Sequence, residues 1–166
     1  FEEVADVAIT AAYYQERAPG LLQPKRRRGV LPRLTRVLEL RKPHGVVGII
    51  APWNYPLSLG ATDAIPALLA GNAVVLKPDL QTTHTALWIA EKLAESGLPA
   101  DLFRVVSGEG PEAGAALVRA ADYVSFTGST ETGRVVAAAA GERLTGASLE
   151  LGGKNAMIVR GDADLE

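Results

Sequence analysis

The chain contains no cysteine in 166 residues. It can therefore form neither a disulfide framework nor a thiolate metal site, and it holds no thiolate nucleophile. Its two histidines, His44 and His84, lack a carboxylate cluster at ligand spacing, so no metal site is predicted. We expect His84 to be a solvent-facing residue in the first turn of a helix.

Long apolar runs and an excess of positive charge are missing as well. No stretch approaches the roughly 18 apolar residues of a membrane span, and the first residues lack the basic and apolar regions of a secretory signal. These absences predict a cytoplasmic protein with no membrane partner. Lysine and arginine number 17 against 19 acidic residues, and this balance argues against a nucleic-acid partner.

Aromatic residues make up only 5% of a chain that is 48% hydrophobic. The apolar content is mainly Ala, Val, Leu and Ile, which is typical of helices packed on a buried parallel sheet. Apolar runs predict strands at 45–50, 73–76, 103–106, 123–126, 147–151 and 157–159, with helices at 58–70, 83–96, 111–120 and 129–140. This alternation indicates an α/β fold with a doubly wound parallel sheet, whose ligand crevice lies at the carboxyl ends of the strands.

The first 43 residues follow a different pattern. Residues 1–17 have apolar positions on one helical face, and we expect Pro19 and Gly20 to end this helix. The basic run at 25–28 can be interpreted as a patch for nucleic acid or an acidic substrate. Because the chain has no overall basic excess, we favour a solvated turn between two extended strands.

Two polar segments follow the first two predicted strands. Segment 51–56, Ala-Pro-Trp-Asn-Tyr-Pro, places Asn54 on a loop that its prolines stiffen. The Asn54 amide can donate a hydrogen bond to an oxyanion, or it can satisfy the backbone of the turn. Lys77 ends the next strand and precedes Pro78. Its amine can reach ribose hydroxyls or phosphate, or it can remain solvated.

Two further segments follow later strands. In segment 126–133, Phe-Thr-Gly-Ser-Thr-Glu-Thr-Gly, Ser129 or Thr130 can cap a helix while free N–H groups meet a pyrophosphate. A plain capping turn is the alternative, and the glycine spacing differs from the G-x-G-x-x-G fingerprint. In segment 149–155, Leu-Glu-Leu-Gly-Gly-Lys-Asn, Glu150 ends a strand beside two glycines. It can serve as a general base or form an ion pair with Lys154 or Arg143.

In this order, the four segments resemble those of the aldehyde dehydrogenase superfamily, over essentially the whole chain. The basic segment that begins at Pro24 and the Lys-Pro-Asp sequence at 77–79 are most similar to bacterial succinate-semialdehyde dehydrogenases. The resemblance implies an aldehyde-dehydrogenase-type Rossmann-like fold. Residues 1–19 would be a helix of the cofactor-binding domain, 20–43 a segment of the oligomerisation β-hairpin, and 44–166 the NAD(P)-binding domain. The parent enzyme would be a homodimer or homotetramer, with its catalytic domain outside this chain.

The resemblance also implies roles for individual residues. Asn54 would bind the thiohemiacetal oxyanion. Glu150 would be a general base that activates either the deacylating water or the catalytic nucleophile. Trp53 would line the pyrophosphate pocket, Lys77 would hold the adenosine ribose, and Ser129, with the Gly128 turn, would meet the pyrophosphate. Gly152 and Gly153 would let the nicotinamide and the moving Glu150 side chain pass. The predicted cofactor-binding residues are therefore Ala51, Pro52, Trp53, Lys77, Gly128, Ser129, Leu151 and Gly152.

In this family a cysteine thiolate attacks the aldehyde, hydride passes to the nicotinamide, and water activated by the glutamate releases the acid. That cysteine lies downstream of the Glu-Leu-Gly-Gly motif. We therefore expect the parent enzyme to oxidise an aldehyde, with succinate semialdehyde as the favoured substrate, and this chain alone to be inactive. The alternatives are a catalytically dead cofactor-binding or structural relative and a semialdehyde dehydrogenase that acylates coenzyme A, although Glu150 counts against the latter.

The position three residues after Lys77 bears on the choice of cofactor. Family members specific for NAD usually carry a glutamate there, which binds the ribose 2′-hydroxyl, whereas this chain has Leu80. Without that carboxylate the barrier to a 2′-phosphate is absent. Asp79 would point to the other side of the chain if the backbone is extended. The sequence therefore favours NADP, with NAD as the second possibility.

Overall fold

A computed structural model describes residues 1–31 and 33–164 of the chain. Helix α1 (Glu2–Leu22) leads into an antiparallel hairpin of β1 (Lys25–Arg27) and β2 (Val37–Glu39). The expectation that the whole basic run forms the turn is wrong, because its first three residues lie in β1. Arg27 there donates a 2.6 Å hydrogen bond from Nε to Glu39 of β2, so charge pairing across the hairpin helps to hold these residues in the strand.

Five parallel strands follow the hairpin: β3 (Val46–Ile50), β4 (Ala73–Lys77), β5 (Phe103–Val105), β6 (Tyr123–Thr127) and β7 (Gly146–Glu150). Their order in the sheet is β5-β4-β3-β6-β7. The connecting helices are α2 (Pro56–Ala61), α3 (Ala64–Leu69), α4 (Thr83–Glu95), α5 (Ala115–Ala120) and α6 (Thr130–Glu142). The predicted α/β fold with a doubly wound parallel sheet is confirmed.

Helices cover both faces of the sheet. Successive strand residues point to opposite faces, so Ile49 and Leu76 contribute to the core under α2, α3 and α4. Val124 and Phe126 lie in a second core that includes Val118 of α5 together with residues of α6. Each side chain at the carboxyl edge can therefore be assigned to one of two faces from its register.

Helix α1 does not end at Pro19 but continues to Leu22, so the predicted stop is wrong. A proline inside a helix costs about 3 kcal/mol through a lost hydrogen bond and a steric clash. Tertiary contacts offset this cost, since Ala18 is buried and the last turn of α1 borders the same apolar groove as Leu68 and Leu93.

The single helix predicted at 58–70 is instead two helices, α2 and α3, separated at Thr62 and Asp63. Pro66 explains the interruption, because its ring would clash with the carbonyl of Thr62 in a continuous helix. The helix predicted at 111–120 also differs, since it begins as a π-helical turn at Gly110–Gly114 before α5.

The sixth strand predicted at 157–159 is not present. Met157, Ile158 and Val159 are exposed, and β7 is the last strand of the sheet among the described residues. Apolar, β-branched composition alone does not make a strand when no neighbouring ladder is there to pair with it. The last two residues of the predicted 44–166 domain lie outside the described residues.

Candidate functional site

The four polar segments singled out in the sequence meet at the carboxyl edge of the sheet. The backbone N–H of Ala51 donates to the Lys77 carbonyl at 3.1 Å, and that of Gly128 donates to the Glu150 carbonyl at 3.0 Å. The chain leaves β3 toward β4 and β5 on one side, whereas β6 and β7 lie on the other side. The loops after β3 and β6 therefore diverge, and such a switch point opens a ligand crevice.

Asn54 lies in the loop between β3 and α2, with its side chain exposed. Among the described residues its amide has no hydrogen-bond partner, so it does not serve to satisfy the turn. Of the three preceding residues, Ala51 is 5% exposed, Pro52 is half-buried and Trp53 is 61% exposed. The loop thus exposes an amide and an indole at the carboxyl edge of the sheet, next to a buried anchor.

The beginning of α2 is capped by a distant residue. Tyr55 stands at the N-cap without a side-chain hydrogen bond, and Pro56 follows it. Glu3 of α1 supplies the missing acceptor, since its Oε2 accepts from the N–H groups of Leu57 at 2.8 Å and Ser58 at 3.1 Å. The sequence did not single out Glu3, because nothing local relates it to a helix more than fifty residues away.

Lys77 is buried, with 7% of its surface exposed. It pairs in register with Ile50, which packs against the core under α5 and α6, and so it faces that side of the sheet. No hydrogen bond to its amine is formed by another described residue, and no buried side-chain nitrogen there is unsatisfied. The stem is therefore buried while the amine retains access to solvent.

Ser129, rather than Thr130, is the N-cap of α6, and its Oγ accepts from the N–H of Thr132 at 3.1 Å. The preceding Gly128 has no room for a side chain, because a Cβ there would lie 2.6 Å from the Phe126 ring. A capped helix N-terminus with its amide groups at the crevice favours an anionic ligand.

Glu150 is exposed and forms no ion pair with Lys154 or Arg143. Arg143 instead donates to the carbonyls of Val118 at 3.0 Å and Ala121 at 2.9 Å, at the end of α5. Glu150 is the register partner of Thr127, one residue beyond Phe126, and so it faces the side of α2, α3 and α4. Lys77 and Glu150 therefore lie on opposite faces at the same edge.

Leu151 and Gly152 continue past β7 along the beginning of α6. A Cβ on Gly133 would overlap the side chain of Leu151, and a Cβ on Gly152 would lie 3.7 Å from Thr130 Oγ1. The second glycine of segment 126–133 thus makes room for Leu151, which packs against the helix and remains 38% exposed. Both residues lie beside the Ser129 cap.

A cleft of about 500 Å³ lies between α5, α6 and the sheet, on the face of Lys77. Its walls are mainly apolar and include Ile50, Pro111, Val118, Phe126 and Val135. No sequence signal indicates this cleft, because apolar residues at helical spacing on α5 and α6 are equally typical of a core. The exposure of Val135, at 67%, is visible only in the tertiary structure.

The position that bears on cofactor choice lies just beyond Lys77. Asp79 is extended and caps a 3-10 turn at Leu80–Thr82, accepting a 3.0 Å hydrogen bond from the N–H of Gln81. Its carboxylate is thus engaged with local backbone, and Leu80 is 45% exposed. His84 is exposed in the first turn of α4, in agreement with the prediction.

Within the described part of the chain, no three His, Cys, Asp or Glu side chains come together as metal ligands. None of the described helices combines the length and apolarity needed to cross a bilayer. The chain is thus an open α/β protein with a capped helix and a buried lysine at the switch point of its sheet, the place where such sheets bind ligands.

Comparison with known proteins gives the family. The sequence profile of the aldehyde dehydrogenase family matches residues 1–166, and the chain belongs to that family. It is 54% identical over 165 residues to the Mycolicibacterium smegmatis protein named "Putative succinate-semialdehyde dehydrogenase (NADP+)", an alignment that covers 99% of this chain and 32% of the relative.

Two solved structures share the fold at high similarity. An aldehyde dehydrogenase from Burkholderia cenocepacia, described as putative, superposes with a TM-score of 0.87 and 42% identity, covering 98% of this chain and 34% of that one. A 3,6-anhydro-L-galactose dehydrogenase in complex with NAP gives a TM-score of 0.87 at 33% identity, over 99% and 34% of the two chains. The chain thus spans about a third of the length of these proteins.

Proposed function

We propose that this chain is the NAD(P)-binding part of an enzyme that oxidises an aldehyde to a carboxylic acid. The observation that carries the proposal is the meeting of Asn54 and Glu150 at one switch-point edge, each without a partner among the described residues. Because neither side chain is engaged in a described hydrogen bond, the Asn54 amide can donate to an oxyanion and the Glu150 carboxylate can accept a proton.

Each of the two side chains has a definite task in this reaction. The Asn54 amide donates a hydrogen bond to the oxygen of the adduct that a cysteine of the parent enzyme forms with the aldehyde. Loss of hydride converts this adduct into a thioester. Glu150 removes a proton from the water that attacks the thioester, and the thiolate leaves as the acid forms. When bound, the nicotinamide cofactor supplies the hydride acceptor. Because the chain holds no cysteine, we expect it to be inactive alone.

The residues at the edge fit a dinucleotide. The apolar cleft of about 500 Å³ has room for a flat adenine ring. Lys77 lies on the same face of the sheet, and its amine can donate hydrogen bonds to ribose hydroxyls. The Ser129 cap offers the N-terminus of a 13-residue helix to the pyrophosphate. Trp53 and Pro52, with Ala51 behind them, would border it from the β3 loop, and Leu151 and Gly152 from the β7 end.

NADP is the cofactor that the site favours. Leu80 places no carboxylate near Lys77, and the carboxylate of Asp79 is engaged by the Gln81 N–H. Leu80 therefore presents no charge that would repel a 2′-phosphate. The M. smegmatis relative is named as an NADP+ enzyme, which supports the same choice. NAD remains the alternative that the experiment compares directly.

Succinate semialdehyde is the proposed substrate, on the strength of the relatives' names and not of any residue in the described structure. The test is steady-state kinetics of the parent enzyme with a panel of aldehydes, each assayed with NAD and NADP. We expect the highest kcat/KM for succinate semialdehyde with NADP. Dependence on coenzyme A would instead indicate an acylating enzyme, and inactivity with every aldehyde would favour a dead cofactor-binding relative.

Assembly and location are further parts of the proposal. The exposed hairpin β1–β2 presents apolar residues, including Leu38 and Leu40, and would extend to a neighbouring subunit of a homodimer or homotetramer. We place the parent enzyme in the cytoplasm. Light scattering of the parent enzyme with and without residues 25–39 tests the assembly, and loss of the oligomer on deletion is the expected result.

A further inference from the structure

The Asn54 loop is held in place at both of its ends. At the first end, Ala51 is buried and its N–H donates to the Lys77 carbonyl of β4 at 3.1 Å. At the second end, the first N–H groups of α2 donate to Glu3. Asn54 lies between these anchors, with no side-chain partner of its own among the described residues.

The second anchor depends on one carboxylate. Helix α2 starts at Pro56, and the tyrosine at its N-cap makes no capping hydrogen bond. The N–H groups of Leu57 and Ser58 would then lack an acceptor, as the first donors of a helix do. Both bonds to Glu3 are partly buried, and Ser58 is 6% exposed, so water is a poor substitute.

We propose that Glu3 is a positioning residue for Asn54. By capping α2 from α1, it sets where the helix begins, two residues after Asn54, and hence where the preceding loop ends. Prolines at 52 and 56 restrict the backbone between the anchors. A displacement of the helix start is therefore transmitted to the Asn54 amide instead of being absorbed by the loop. This inference rests on the proposed role of Asn54.

Glu2 provides a matched control. It is the neighbouring residue on the first turn of α1, carries the same carboxyl group and is exposed, and its side chain forms no hydrogen bond or ion pair with any other described residue. A change in the charge or helix propensity of α1 would therefore be the same for a substitution of Glu2 as for one of Glu3. Of the two, Glu3 is the one whose side chain forms hydrogen bonds to α2.

Kinetics of the parent enzyme test the proposal. We expect Glu3→Ala to lower kcat about tenfold, since small misplacement of a catalytic group is costly, while the KM for cofactor changes by less than about twofold. Glu3→Gln keeps an oxygen that can accept from the same N–H groups, so it should recover most of the activity. Glu2→Ala should retain wild-type kcat.

A double-mutant cycle identifies Asn54 as the route of the effect. In an Asn54→Ala background, Glu3→Ala should cause no further loss of kcat. A full additional loss there, or a lower melting temperature with unchanged kcat in Glu3→Ala alone, would overturn the positioning role. If Asn54→Ala retains wild-type kcat, Asn54 does not stabilise the oxyanion, and the positioning role of Glu3 is refuted as well. That result would leave aldehyde oxidation by the parent enzyme unaffected.

A measurement on this chain itself does not depend on activity. Backbone ¹⁵N relaxation should show increased motion at Asn54 in the Glu3→Ala variant and unchanged motion in Glu2→Ala. Hydrogen exchange at Leu57 and Ser58 should accelerate in the same variant. Unchanged relaxation at Asn54 would refute the inference even if the parent enzyme proved inactive with every aldehyde.

Discussion

The hydroxyl of Ser125 donates a 2.6 Å hydrogen bond to the carboxylate of Asp63. Ser125 lies in the middle of β6, and Asp63 lies at the interruption between α2 and α3, more than sixty residues earlier in the chain. The bond ties the helical layer to the strand beside β3. It lies on the face of the sheet to which Glu150 belongs.

Removing this hydroxyl should destabilise the fold modestly. We expect Ser125→Ala to lower the free energy of unfolding by about 1 kcal/mol, since a charge-assisted bond is lost at a site that solvent reaches. Urea unfolding measures the change. Ser148→Ala is the control, because Ser148 is the register partner of Ser125 on β7 and its hydroxyl has no hydrogen-bond partner among the described residues. Equal losses from the two variants would contradict the assignment.

Gly133 should not tolerate a side chain, whereas Gly141 on the same helix should. A Cβ at position 133 would overlap Leu151, but one at position 141 would meet nothing within 4 Å. We expect Gly133→Ala to cost about 1–3 kcal/mol through overpacking and Gly141→Ala to stabilise the fold by about 0.5 kcal/mol. Thermal unfolding distinguishes the two. Addition of Leu151→Ala should restore most of the loss at position 133, and failure to do so would place the clash elsewhere.

Asn72, directly before β4, joins α3 to the entrance of β3. Its Oδ1 accepts from the N–H groups of His44 at 2.7 Å and Gly45 at 3.1 Å, and its Nδ2 donates to the Ala67 carbonyl at 2.8 Å. Asn72→Ala leaves these groups unsatisfied at a buried position, and we expect a loss of about 3 kcal/mol in urea unfolding. Asn155→Ala, at an exposed asparagine, should change stability little. If Asn72→Ala lowers the free energy of unfolding by less than Ser125→Ala does, water replaces the hydrogen bonds of the Asn72 amide.

The hairpin should weaken in acid because of Glu39. The hydrogen bond from Arg27, together with the positive charges of Arg27, Arg41 and Lys25, lowers the pKa of Glu39 below its ordinary value of 4.5. A depressed pKa contributes stability that is present above the ordinary value and lost as pH falls through the lowered one. NMR shifts of the Arg27 side chain should therefore change below about pH 4.5.

Two comparisons test the Glu39 assignment. Glu39→Gln should remove the acid-dependent change in the hairpin, because the amide does not titrate. High salt should reduce the effect, since the ion pairs are partly exposed and screened. A transition of the same size in the Glu39→Gln variant would assign it to another group.

A carboxylate at position 80 should reverse the cofactor preference of the parent enzyme. We expect Leu80→Glu to lower the ratio of kcat/KM for NADP over NAD at least about tenfold, because a negative charge close to the 2′-phosphate is repelled. Leu80→Gln matches the glutamate in size without its charge and should shift the ratio much less. If the parent enzyme already prefers NAD, the NADP assignment is wrong.

Local signals in the sequence identified most of the strands and the residues that follow them. Lys77, Ser129 and Glu150 each stand at the end of an apolar strand or just past it, and a parallel sheet brings such positions to one edge. The wrong predictions of helix boundaries lie where tertiary packing outweighs a local signal or where a local signal was not recognised. Pro19 is a strong stop signal, yet packing of the last turn of α1 carries the helix past it. Pro66, by contrast, is a local signal that accounts for the division between α2 and α3.

The sequence by itself determined the alternation of strands and helices between residues 45 and 150, the four polar segments and the absence of a thiol, because these depend on neighbouring residues and composition alone. Only the tertiary structure decided that Lys77 is buried, that it and Glu150 lie on opposite faces, and that Glu3 caps α2. Burial, the face to which a side chain points and long-range capping arise when distant segments pack together. No local pattern specifies which distant group will satisfy a given N–H.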